Sequence, residues 1–159
     1  MEMMTRNKEA EKAYNAAIRL LGFRGYSRRE LINKLAEKGH ENEIIDNIIL
    51  ILEEDGYIDD MKLAVQFIEG KRDRKNYGRR VIEQKLSQKG ISKDDIHLAY
   101  AQLAADEGEQ NPEADAAARA LAKWARNRDF DRQKAYAFLA RRGYSYEDIS
   151  RAIGEYKED

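Results

Sequence analysis

The chain of 159 residues holds no cysteine and one proline, Pro112, with 37% of its residues charged and 42% apolar. That balance favours solvated helices around a core over sheet or disorder, and the missing cysteines exclude disulfides and thiolate metal sites, which fits a reducing, cytoplasmic setting. The formal net charge of −1 conceals a segregation: residues 37–62 carry nine acids and two bases, residues 69–89 eight bases and three acids, and residues 119–142 eight bases and two acids.

From the N-terminus, "MEMMTRNKEAEK" contains no apolar stretch of the kind that forms a signal peptide. After Tyr26, Ser27 and Glu30 have the spacing of a capping box and open a helix with Leu31, Ile32 and Leu35 on one face. Gly39 stands where the helix must stop, in the left-handed conformation that glycine adopts most cheaply. A third helix follows with the apolar stripe Ile44, Ile45, Ile48, Ile49 and Leu52. Its greasiest run, "IIDNIILIL", is too short and too polar to cross a bilayer. Gly56 ends it, and Asp59 caps the next helix.

The grammar then recurs. Gly78 stands at the Ser27 position, Leu86 at the Leu35 position, and Gly90 stops the helix. Ser92 and Asp95 cap a helix with the stripe Ile96, Ala99, Tyr100, Leu103. "DEGEQN", residues 106–111, reads as a linker. Asn111 and Pro112 then form an N-cap and N1 pair, and Asp131, Leu139 and Gly143 mark a third copy. Ser145 and Asp148 open its last helix, striped by Ile149, Ala152, Ile153 and Tyr156. Aligned on Gly39, Gly90 and Gly143, the copies superpose Arg28, Arg79 and Arg132 without a gap, with a basic residue (Lys38, Lys89, Arg142) before each glycine.

A period near fifty residues predicts an array of supersecondary units. The expectation is all-α: three tandem three-helix repeats, at 1–58, 59–109 and 110–159, forming an elongated, curved array.

Catalytic signatures are missing. His40 and His97 do not have a metal-ligand spacing, and there is no phosphate-binding loop or nucleophile elbow. "EEDGYIDD" lacks the ladder of a calcium loop. A non-enzymatic protein without cofactor or metal is expected, and its function lies in a binding surface. "GKRDRKNYGRR" supplies Lys71, Arg72, Arg74, Lys75, Arg79 and Arg80 around Tyr77. One repeat later, the basic stretch around Trp124 and Phe130 supplies Arg126, Arg128 and Arg132, and Arg141 and Arg142 follow. Basic clusters with interleaved aromatics can hold a nucleic-acid backbone and stack on bases. The alignment of Tyr26, Tyr77 and Phe130 favours the core for these rings instead. The third helices are too aliphatic and acidic for a recognition helix in a DNA groove.

Taken together, "GYIDD", the basic loop into "YGRR", the "KGI" turn and "RRGYSYEDI" resemble the RecX family of bacterial regulators of the RecA recombinase, over nearly the whole chain. Members often carry proline where this chain has Arg79 and an acid where it has Lys85, so the middle repeat is more basic than the family pattern. The resemblance implies a protein that binds RecA, chiefly as the RecA–single-stranded-DNA filament, and modulates its ATPase, coprotease and strand-exchange activities, commonly by inhibition; a monomer is expected. A direct single-stranded DNA- or RNA-binding protein, acting without a protein partner, is the alternative.

Overall fold

The computed structural model describes residues 2–157. Nine α-helices and no strand occur among the described residues. The first three are α1 (Glu2–Leu21), α2 (Arg28–Glu37) and α3 (Asn42–Glu54). Next come α4 (Asp60–Glu69), α5 (Arg79–Gln88) and α6 (Lys93–Glu107). The last three are α7 (Pro112–Ala125), α8 (Arg132–Arg141) and α9 (Tyr146–Glu155). A π-helical turn, Gly70–Arg74, extends α4.

The cap residues do locally what their types dictate. Ser27 accepts from the Glu30 amide while the Glu30 carboxylate accepts from the Ser27 amide, a complete capping box. Asp59, Ser92, Asn111, Asp131 and Ser145 each accept from an amide three residues on. Gly39, Gly90 and Gly143 have φ of 93°, 84° and 100°, the left-handed stop that the sequence predicts. In α3 the cap position falls to Glu41, whose side chain makes no capping bond.

Three hydrophobic cores result, one per triplet, each closed by its own stripe. Leu35 lies in the first, Leu86 in the second and Leu139 in the third, each fully buried. The chain exposes 10910 Å², against about 8,200 Å² for a compact monomer of this size. The excess is what an elongated array with three small cores produces. The cores stay separate, and the contacts between neighbouring triplets are polar ones.

Candidate functional site

The triplets join by a repeated contact. The N-cap of the second helix in one triplet docks against the glycine turn of the second helix in the next. At the first junction the Ser27 hydroxyl donates to the Lys89 carbonyl (2.5 Å), Arg29 packs on Gly90, and the Arg28 amide donates to Asp60 Oδ1 (2.8 Å). Lys89 Nζ lies 3.7 Å from Glu30. Burial lifts the Glu30 carboxyl, but the Ser27 amide, Arg24 and Lys89 outweigh it and hold the group below its usual range.

The second junction is closer. The Gly78 amide donates to the Arg142 carbonyl (2.8 Å) and the Arg80 amide to the Gly143 carbonyl (3.2 Å). A side chain at Gly78 would collide with the Gly143 backbone, so glycine is required here by close approach rather than by φ. Asn76, left-handed at φ 57°, is the hub of the loop before α5. Its carbonyl accepts from the Tyr144 hydroxyl (2.6 Å) and Arg142 Nε (3.1 Å), and its side chain accepts from Arg119 (3.0 Å). Arg142 also donates to the Lys75 carbonyl. Burial pushes the Tyr144 hydroxyl up, so it stays a donor.

Arg72 does not belong to the basic surface that the sequence predicts. It is 4% exposed and donates to Asp73 (2.9 Å) and Glu107 (2.6 Å), with Glu113 of α7 3.9 Å away. Burial opposes its charge, but Asp73 and Glu107 outweigh that and keep the guanidinium protonated. The signal was present in the spacing: Arg72 lies four residues beyond Ile68 and eight beyond Ala64, on the stripe that both define. Its equivalent 53 residues later is the buried Ala125.

The other predicted cations fall into separate groups. Arg74, Lys75 and Arg142 meet Lys123 of α7 around a cavity of about 410 Å³, walled by Tyr77, Trp124 and Phe138. Trp124 stacks on Phe138 with centroids 5.5 Å apart. The Arg142 guanidinium lies 4.0 Å from the Tyr77 centroid. Thus the two basic segments, remote in sequence, share one groove at the second junction. Arg79 pairs with Glu83 (2.7 Å) and covers Tyr100, while Arg80 donates to the Ala140 carbonyl (2.6 Å). Lys71 rests over Phe67. Arg126 and Arg128 border a different, open cavity of about 880 Å³ between α7 and α9, with Phe130 and Tyr156. Arg132 lies beside Tyr136 and Tyr146 around another cavity, and Arg141 is exposed.

Sequence reasoning missed Lys123, Arg119, Asn76 and Tyr144. Only Asn76 carried a local hint, since asparagine before a glycine cap tolerates left-handed backbone. The rings split as the alignment suggests. Tyr26 is buried, and Tyr77 and Phe130 pack against their cores, but Tyr77 and Trp124 also keep an edge in the groove.

Comparison with known proteins gives consistent matches along the chain. Family models described as the first, second and third three-helix domains of RecX match residues 13–50, 59–99 and 114–153. A regulatory protein RecX from Chlorobium phaeobacteroides (strain BS1) is 32% identical over 145 residues, covering 91% of this chain and 93% of that protein. One from Vibrio campbellii (strain ATCC BAA-1116) is 36% identical over 148 residues, covering 91% of each. The crystal structure of RecX from Lactobacillus salivarius superposes with a TM-score of 0.80 at 25% identity, covering 94% of this chain and 97% of that one.

Proposed function

We propose, from the premise that this chain belongs to the RecX family, that it binds the RecA recombinase in its filament on single-stranded DNA and inhibits that filament's ATPase, coprotease and strand-exchange activities. The observation that carries the reading is the end-to-end match, through all three triplets, to proteins named regulatory protein RecX. Its setting would be the cytoplasm, in recombinational repair and the SOS response, with the protein acting as a monomer and without catalysis.

Two physical features support the reading. An elongated array can touch more than one protomer of a helical filament. Its charge is also divided lengthwise, with acids at 37–62 and bases at 69–89 and 119–142, so opposite ends suit opposite partner surfaces. The contact residues proposed are six of the exposed cations of the second and third triplets: Arg74, Lys75, Arg126, Arg128, Arg132 and Arg141. Arg72 is excluded by its burial.

The test is the single-stranded-DNA-dependent ATPase of the host's RecA, titrated with this protein. The expected result is a saturable fall in rate. An unchanged rate at molar excess would refute the proposal. Reversing Arg74, Lys75 and Arg128 to glutamate should preserve helicity and weaken the inhibition, because solvated charges contribute little to folding.

A further inference from the structure

At both junctions the next triplet covers the N-cap of a second helix. Ser27 and Gly78 are buried there, whereas Asp131, their equivalent in the third triplet, is exposed. The turn ahead of Gly78 is covered too. From the next triplet, α7 brings Glu113 to 3.9 Å from Arg72 and Arg119 to the Asn76 side chain (3.0 Å). In the third triplet, 53 residues on, Arg72 becomes Ala125, Lys75 becomes Arg128 and Asn76 becomes Asp129. All three line the open cavity of about 880 Å³ between α7 and α9. The helix beside it is also shorter. α9 ends at Glu155, the equivalent of Gln102, whereas α6 continues to Glu107 and so reaches Arg72. The cavity therefore lies where the second triplet packs the last turn of α6 and the first turns of α7.

We infer that this cavity is a docking groove for one amphipathic helix of a partner protein, with an acid in its first turn for Arg126 and Arg128 and a base six residues on for Asp129. That is the relation of Glu113 to Arg119 in α7. The inference stands apart from the RecA reading, and its test contains no RecA. Charge complementarity supports it. Arg126, Arg128 and Lys157 line the groove, exposed and without an ion pair among the described residues, while Glu155 is already paired with Arg151 (3.2 Å). Phe130 stacked on Tyr156, centroids 4.6 Å apart, gives the groove an apolar wall. An apolar groove with a charged rim is what helix recognition uses.

A second copy of this chain fits less well. Its α1 would bring Glu9 and Asn15 to the places of Glu113 and Arg119, so Asp129 would gain no cation. The pair Glu30–Lys89 of the first junction would become Lys134 against Lys38. Like charges there hold copies apart. A lone helix without a glycine turn behind it escapes that repulsion.

The probe is a synthetic peptide of residues 110–123, blocked at its C-terminus and carrying fluorescein at its N-terminus, because α7 fills the equivalent place on the second triplet. Its fluorescence anisotropy is followed as the full-length protein is added. Saturable binding is expected below half-millimolar protein. The double variant R126E/R128E should keep the wild-type far-ultraviolet circular dichroism and bind about tenfold or more weaker. A peptide with Glu113→Lys should reverse the order, binding the double variant better than the wild type. Four results would overturn the inference: no saturation at that concentration, undiminished binding by the folded double variant, equal binding of a scrambled peptide of the same composition, or self-association of the wild type in sedimentation that R126E/R128E abolishes, which would seat a second copy in the groove.

Discussion

At the first junction the Ser27 hydroxyl reaches across to the Lys89 carbonyl; at the second, Gly78, its equivalent 51 residues on, brings its own amide to the carbonyl of Arg142. One contact uses a side chain and leaves room for a Cβ, while the other is backbone against backbone. The second junction then adds Tyr144, Arg119 and Arg142 on the loop around Asn76, and seals a buried guanidinium beneath it. The same repeat grammar therefore yields a light seam and a tight one. The groove lies on the tight one. The acidic first triplet stands on the lighter seam.

The largest expected effect comes from the centre of the tight seam. Arg72→Ala removes the only cation that Glu107 and Glu113 contact among the described residues, and breaking a buried pair from one side typically costs about 3–5 kcal/mol. Arg72→Met should cost less, since the equivalent position in the third triplet holds the apolar Ala125. Urea unfolding of both variants checks this. Equal loss in the two would mean that the charge itself, rather than the filled space, holds the seam.

The repeated glycines sharpen the comparison further. Gly39, Gly90 and Gly143 share one backbone conformation but have different neighbours. Among the described residues, a Cβ on Gly39 meets nothing within 4 Å, one on Gly90 collides with Arg29 Cβ and Cγ, and one on Gly143 lies 2.6 Å from the Val81 amide nitrogen. Gly39→Ala should therefore cost the left-handed strain alone, about 1–2 kcal/mol. Gly90→Ala and Gly143→Ala should both cost more, since Arg29 Cβ and the Val81 amide are fixed to backbone and cannot step aside. Denaturation midpoints of both should fall below that of Gly39→Ala, and three equal losses would show that the junctions place no demand on these turns.

These contrasts also mark what could be read from the sequence. Caps, stripes and stop glycines were legible because they depend on neighbours three or four residues away. Ser27 with Glu30 and Asn111 with Pro112 needed no tertiary knowledge. The identity of a glycine was legible but its second purpose was not, because nothing near Gly143 in the chain announces Val81. Arg72 was misread for the same reason. Its partner Glu107 lies 35 residues away, and the six cations in "GKRDRK" and "YGRR" draw attention to density instead of to the stripe from Ala64 and Ile68. The groove itself was half legible: both basic segments stood out, but their meeting was written only in the folded junction.

A smaller effect belongs to the light seam. Ser27→Ala removes an N-cap, which costs about 0.5–2 kcal/mol, and with it the bond to Lys89. Because Ser27 is fully buried, the lost hydroxyl also leaves the Lys89 carbonyl without this donor. The Trp124 fluorescence transition, which reports the third triplet, should shift less than the helical signal of the whole chain. Coincident shifts would make the two seams one cooperative unit.

The smallest effect tests whether the tight seam carries a misfit. Glu113 stands 53 residues after Asp60, but the two equivalents differ. Asp60 accepts from the Arg28 amide across the first junction, whereas Glu113 Oε2 is buried without a hydrogen-bond partner among the described residues and Oε1 lies 3.9 Å from Arg72. Burial pushes the Glu113 carboxyl above its usual range, and Arg72 only partly offsets it. An acid whose value is raised in the folded state favours the protonated form there, so its ionised form weakens the fold at neutral pH. That penalty disappears as pH falls through the raised value toward the ordinary carboxylate range. Glu113→Gln should therefore raise Tm at neutral pH, by roughly a degree or two, and the gain should shrink on acidification. Melting curves of wild type and variant across that range decide it. A variant less stable than wild type at neutral pH would mean that Glu113 is a working counter-charge to Arg72, and that the seam tolerates no loss of its negative partners.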